Sequence, residues 1–191
     1  MKSFFSVFLL FICLLSSGQT LRYDAILRGH SVGELKVVKE VSDNKTTIET
    51  STHIVAHMLF KITVDVTTKS TYMDGVLIES EAVSKQNGHI HESVYIHKTD
   101  NGYSIDVDGE KEQLNVETLI GADTLYFEEP KSISHTMALA SAQYLDIEKG
   151  KGGAYFFVHD GKKESHQYKA GVLEEVVIEH KLYTVTMKRK Q

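Results

Sequence analysis

Tryptophan is missing from this chain, and cysteine and proline occur once each. The single cysteine, Cys13, stands inside an apolar N-terminal run, so everything after it lacks a thiol. Disulfides, cysteine metal ligands and thiol nucleophiles are thereby excluded from that part. Cys13 follows Phe11 and Ile12 rather than the small residues of a bacterial lipidation site. With one proline, Pro130, and few Gly or Ser runs, no linker is evident and one domain is the economical reading. Beyond Leu15 no apolar stretch approaches the about 20 residues of a membrane-spanning helix. There is no excess of positive charge either: the net charge is −5 with histidines neutral, which argues against nucleic acid or an anionic membrane as the main partner. Ser134 and Ser141 stand in no GxSxG nucleophile elbow, and HExxH and phosphate-cradling Gly-rich loops are lacking, so serine hydrolase, zinc protease and nucleotide-binding readings find no support and no cofactor is expected.

What is present begins with "MKSFFSVFLLFICLLSSGQT". Lys2, the apolar run Phe4 to Leu15, and the small residues Ser16 and Gly18 have the layout of a secretory signal peptide. Cleavage is expected after Gly18, leaving a single β domain over residues 19–191 with a charge of −6, since one lysine leaves with the leader. The expected location is accordingly exported, either periplasmic or secreted. The terminal "KRK" reads as a solvated end.

Apolar and polar residues alternate over most of the remainder, and turn dipeptides interrupt the alternation at short intervals, as in an antiparallel β protein. "LRYDAILRG" and "GELKVVKEV" predict two strands about a "GHSVG" corner. In "LFKITVDVTTKSTYM", Ile62, Val64 and Val66 share one face and Thr63, Asp65 and Thr67 the other. Asp74-Gly75, Asn87-Gly88 and Asn101-Gly102 are two-residue hairpin signals, because both central residues must accept positive φ, and Asp108-Gly109 is a fourth. Asp160-Gly161 and Gly171 repeat the device near the end.

One stretch departs from the alternation. "SISHTMALASAQYLD" spaces Met137, Leu139, Ala140 and Tyr144 in a roughly helical manner and predicts a short helix. The preceding "IGADTLYFEEP" predicts an ordered connection with an aromatic plug. The expected fold is thus mainly β, a strongly curved antiparallel meander of roughly ten to twelve strands, half-barrel or barrel, with one short helix, since large twisted sheets curl or close.

The stretch "HIHESVYIH" carries the most chemistry. A two-residue turn at Asn87-Gly88 pairs Ser84 with His91, Ser80 with Tyr95 and Ile78 with His97, which gathers His89, His91, Ser93, Tyr95 and His97 on one face. Ile90, Val94 and Ile96 then share the other face with Leu77 and Val83. A turn centred on Asn101-Gly102 sets Asp106 opposite His97 and Asp108 opposite Tyr95. His97 with Asp106 is therefore the candidate catalytic pair, because a carboxylate beside a histidine fixes its tautomer for proton transfer. His89 with His91 is the candidate pair of metal ligands. A solvated polar sheet surface is the simpler account of all these residues. His53 and His57 fall in a strand that spreads them apart, and His135 lies near the expected helix start with Glu128 and Glu129 upstream.

Taken together, "YDAILRGHSVGELKV", "YMDGVLIES", "LYFEEP" and "YKAGVLEEV" resemble an uncharacterised family of exported bacterial antiparallel β proteins. That resemblance implies a curved sheet in the cell envelope, similar in outline to the periplasmic lipoprotein carriers, and carries no catalytic residue with it. Lipocalin barrels are a poorer match, since their Gly-x-Trp signature needs the tryptophan that this chain lacks. The expected function is non-enzymatic binding of an apolar or amphipathic small molecule, or of an envelope protein, on the curved sheet. Tyr126, Phe127, Tyr144 and Phe157 are the candidate ligand contacts. An enzyme on the polar face and an assembly protein acting through exposed sheet edges are the alternatives, and the oligomeric state stays open.

Overall fold

Alternation of inward and outward side chains governs nearly the whole chain in the computed structural model, which describes residues 17–57, 60–159, 162–179 and 184–190. The expected leader, Cys13 included, and the Asp160-Gly161 turn lie outside those residues, except that Ser17 and Gly18 open the first strand. A first series of strands comprises β1 (Ser17–Leu27), β2 (His30–Ser42), β3 (Lys45–His57), β4 (Lys61–Met73), β5 (Val76–Gln86), β6 (His89–Thr99), β7 (Gly102–Val107) and β8 (Glu110–Leu114). A second comprises β9 (His135–Ala138), β10 (Gln143–Lys149), β11 (Ala154–His159), β12 (Lys162–Lys169), β13 (Val172–Glu179) and β14 (Thr184–Arg189). All fourteen form one sheet in the order β8-β7-β6-β5-β4-β3-β2-β1-β14-β13-β12-β11-β10-β9. The two meanders meet where β1 pairs antiparallel with both β2 and β14.

The hairpins follow from their turn residues. Asp74, Asn87 and Asp108 have φ of 50°, 52° and 53°, and the glycine after each is also positive. This is the type I′ geometry whose twist matches that of the flanking strands. The motifs "YDAILRGHSVGELKV", "YMDGVLIES" and "YKAGVLEEV" span the β1–β2, β4–β5 and β12–β13 hairpins.

Curvature follows from a contact. Between β8 and β9 lies a 3-10 helix, Ala122–Tyr126, which touches β3, β9 and β13 together. In a flat sheet β3 and β9, eight places apart in the strand order, would be separated by roughly 38 Å at about 4.8 Å per strand. The sheet therefore curls around this element. Its ladder does not close, but the segment 115–121 joins its two ends: Leu119 donates its N–H to the Tyr103 hydroxyl of β7 (3.3 Å), and Met137 of β9 donates to the Ile120 carbonyl (2.8 Å). The same bond occupies the free edge of β9. The other edge, β8, exposes Glu110, Lys111, Glu112 and Gln113, charges of the kind that discourage strand addition.

Inside the curl, Tyr23, Tyr103 and Tyr155 are fully buried together with Ile48, Leu77, Ile96, Leu119, Met137 and Leu173. The aromatic plug expected before Pro130 is present: Leu125, Tyr126 and Phe127 pack against this core. The expected helix over "SISHTMALASAQYLD" is not formed. That segment is the β9–β10 hairpin, with His135 opposite Asp146 and Tyr144 opposite Met137. A helix this short is marginal alone, whereas as strands its backbone bonds both Ile120 and β11. These two extra strands account for a total above the expected ten to twelve.

Candidate functional site

The pairing of β6 differs from the sequence arithmetic at two places. A bulge between Ser84 and Lys85 leaves His91 unpaired and moves the register by one, so Ser84 faces Glu92, Ser80 faces Ile96 and Glu79 faces His97. Val83 faces Ser93, and Ile90 is 68 % exposed rather than grouped with Val94 and Ile96; a second bulge, at Ile78 of β5, puts Ser80 on the buried face with Leu77. The next turn centres on Asp100-Asn101, not Asn101-Gly102, because Thr99 pairs with Gly102. Asp106 consequently lies opposite Tyr95, and His97 lies opposite Ser104. The expected His97–Asp106 pair is not formed. Asp106 accepts the Gly109 N–H (2.8 Å), Asp108 accepts from the Ser93 amide and hydroxyl, and His97 stacks on Tyr95. His89 and His91 are exposed beside the Asn87-Gly88 turn, and no group of three metal-binding side chains occurs among the described residues.

Elsewhere His53 pairs with Asp65 (2.6 Å) and His135 with Asp146 (2.8 Å), both on exposed surface. Glu129, upstream of His135, accepts instead from the Tyr155 hydroxyl (2.8 Å).

The polar groups that the fold does bury are on the inner face. The alternation Ile62, Val64, Val66 continues inward through Thr68, Ser70 and Tyr72, so β4 turns polar where it meets the 3-10 helix. There Asp123, only 5 % exposed, accepts hydrogen bonds from the Ser70 hydroxyl on one carboxyl oxygen and from Tyr72 (2.5 Å) on the other. Burial raises the Asp123 pKa above the ordinary carboxylate value, and the two hydroxyls work against that rise without cancelling it. Tyr72 is held well above its usual range, by burial first and by Asp123 second. Gly121 makes the approach possible, since any Cβ there would collide with the Tyr72 hydroxyl, the Asp123 carboxyl and Leu139.

Two chambers flank this anchor and share Leu125 as a wall. The first, about 270 Å³, is lined by Lys39, Ile48, Tyr72, Glu128, Glu129 and Lys131 among others. The second, about 200 Å³, has Leu125, Leu139, Leu145, Phe157 and Leu173 as apolar walls and Asp123, Tyr126, Glu164 and His166 as polar ones. His166 is 9 % exposed and stacks on Phe157 with ring centroids 3.8 Å apart. Among the described residues neither of its ring nitrogens has a hydrogen-bond partner; Nε2 stands 3.5 Å from a Glu164 oxygen, within ion-pair range but without hydrogen-bond alignment. Tyr126 is held far above the usual phenol range, by burial and then by the nearby Glu164 and Asp123. A roomier hollow of about 360 Å³ lies on the outer face of β2 to β5, where Lys69 and Glu49 of the lining pair with each other (2.7 Å).

Of the four expected ligand contacts, Tyr126 and Phe157 line the second chamber. Phe127 lies beneath the Lys39 ammonium at 5.4 Å. Tyr144 is 40 % exposed and lines a separate hollow with Ser132 to Thr136. Sequence reasoning did not single out Ser70, Tyr72, Asp123, Glu164 or His166. A period-two signal was nevertheless there: Glu164, His166 and Tyr168 recur at alternate positions of β12, as Ser70 and Tyr72 do in β4.

A family model described as a domain of unknown function, DUF6134, matches residues 23–190. The chain belongs to this family. The DUF6134 match runs from the β1 strand to the last described residue and so includes the plug and both chambers. No curated protein matches the chain. Among solved structures, the DUF6134 fold is similar to a crystal structure of a β-barrel-like protein of another domain of unknown function, DUF1849, from Brucella abortus. The TM-score is 0.54 at 11 % identity, with 93 % of this chain and 97 % of that one covered. At that identity the likeness concerns the fold alone.

Proposed function

We propose that the protein is a non-enzymatic binding protein which holds a small amphipathic molecule inside the curled sheet, against the 3-10 helix. The observation that carries this reading is the second chamber. Apolar walls there end at a buried imidazole with no hydrogen bond, in an interior where buried polar groups are otherwise expected to be paired. Support also comes from the two sheet edges, one charged and one occupied, which favour an internal ligand over strand addition. The signal-peptide layout of the first residues supports an activity outside the cytoplasm, in the envelope or beyond it.

Native mass spectrometry of protein prepared from its own host tests the binding. A non-covalent adduct, released on denaturation and absent from an Ala140→Trp variant, is the expected result, because Ala140 lines the chamber and a tryptophan there fills it. An apo mass for the wild-type protein, or an adduct equally present in the variant, overturns the reading. N-terminal sequencing of the same preparation tests export: a first residue of Gln19 supports it, and an intact Met1 end contradicts it.

A further inference from the structure

We infer that the chamber beside Glu164 and His166 takes a small primary amine, one ammonium group on a compact apolar body. The inference rests on the interior-binding reading and names its ligand class. Size limits the body: a cavity of about 150 Å³ admits a benzene ring, so a chamber of about 200 Å³ accommodates a single ring with a short tail rather than a lipid chain. The walls determine the rest of its chemistry. Leu125, Leu139, Leu145, Phe157 and Leu173 offer walls to an apolar body, and among the described residues no lysine or arginine lines the space to neutralise an anion.

The polar end offers acceptors. Asp123 already receives the Ser70 and Tyr72 hydroxyl protons, which leaves the Glu164 carboxylate as the acidic group free to receive another. It stands at the mouth with 41 % of its side chain exposed, and His166 lies deeper. The 3.5 Å separation between Glu164 and Nε2 is not closed by a hydrogen bond. An ammonium carries three donors and no acceptor, so one nitrogen can donate to Glu164 and to Nε2 of His166 together. An alcohol has one proton to donate and no charge, so it satisfies one of the two acceptors rather than both, and a carboxylate brings like charge against Glu164.

Titration calorimetry of the full chain with phenethylamine, 2-phenylethanol and phenylacetate separates these cases, since the three share a ring and differ in the head group. The amine is expected to bind about tenfold more tightly than the alcohol, with the acid weakest. Glu164→Gln is expected to erase the amine's advantage and leave alcohol affinity within about twofold. Glu164 is exposed enough for that variant to fold, which an unchanged thermal melt confirms. Equal affinity for amine and alcohol, preference for the acid, binding of none of the three, or an amine preference that survives Glu164→Gln each overturns the assignment. The interior-binding reading is judged separately, by the native mass spectrum and the Ala140→Trp variant.

Discussion

The Tyr72 hydroxyl donates to the Asp123 carboxyl across 2.5 Å, and the two residues are 51 positions apart in the chain. This bond, with its neighbour from Ser70, ties the 3-10 helix to the inner face of β4 and sets the wall that divides the two chambers.

Deleting the acceptor strands both donors in a buried place. Asp123→Ala is expected to lower unfolding free energy by about 2–5 kcal/mol, whereas Tyr72→Phe, which removes one donor and leaves Ser70 bonded, should lower it by about 1–2 kcal/mol. Urea denaturation of the two variants checks the order; a larger loss for Tyr72→Phe would contradict the anchor.

The anchor also has a pH signature. An acid whose pKa is raised by folding holds its proton more tightly in the folded chain. Its stabilising contribution is thus complete below the unfolded value of 3.8 and disappears as pH rises from there through the higher folded value. Other carboxylates contribute slopes of their own, so the comparison is with Asp123→Asn, which cannot titrate. The difference in urea midpoint between wild type and Asp123→Asn should shift in the variant's favour as pH rises above 3.8. A difference independent of pH would show that Asp123 titrates alike in both states.

Closure of the curl depends on Tyr103, whose hydroxyl donates to the Leu77 carbonyl (3.0 Å) and accepts the Leu119 N–H (3.3 Å). Tyr103→Phe should cost about 1–2 kcal/mol and selectively lower hydrogen-exchange protection at Leu119, while the amides of β3 and β4 lose protection only by the global amount. Unchanged relative protection at Leu119 would mean that the segment 115–121 is held by packing alone.

Much of this architecture can be read from alternation and turn residues. Asp74-Gly75 and Asn87-Gly88 turn where their positive φ requires, and the plug lies where the aromatic-Glu-Pro segment placed it. The candidate site was less legible. One extra residue at His91 took Ile90 off the face of Val94 and Ile96, another at Ile78 carried Ser80 inward, and a turn displaced by one residue took Asp106 from His97 to Tyr95. Strand periodicity is two, so a shift of one residue exchanges the faces of everything beyond it. No local pattern announces which residue will bulge.

By itself the sequence determined that this chain makes hairpins, where most of them turn, which residues alternate, and that no thiol follows Cys13, since these depend on neighbours a few residues apart. Only the tertiary structure decided that 132–146 is a hairpin rather than a helix, that Asp123 meets Ser70 and Tyr72, and that Glu164 and His166 face a shared chamber. Those outcomes depend on how far the sheet curls. Curling brings strands eight places apart onto one short 3-10 helix, a distance in space that no spacing along the chain encodes.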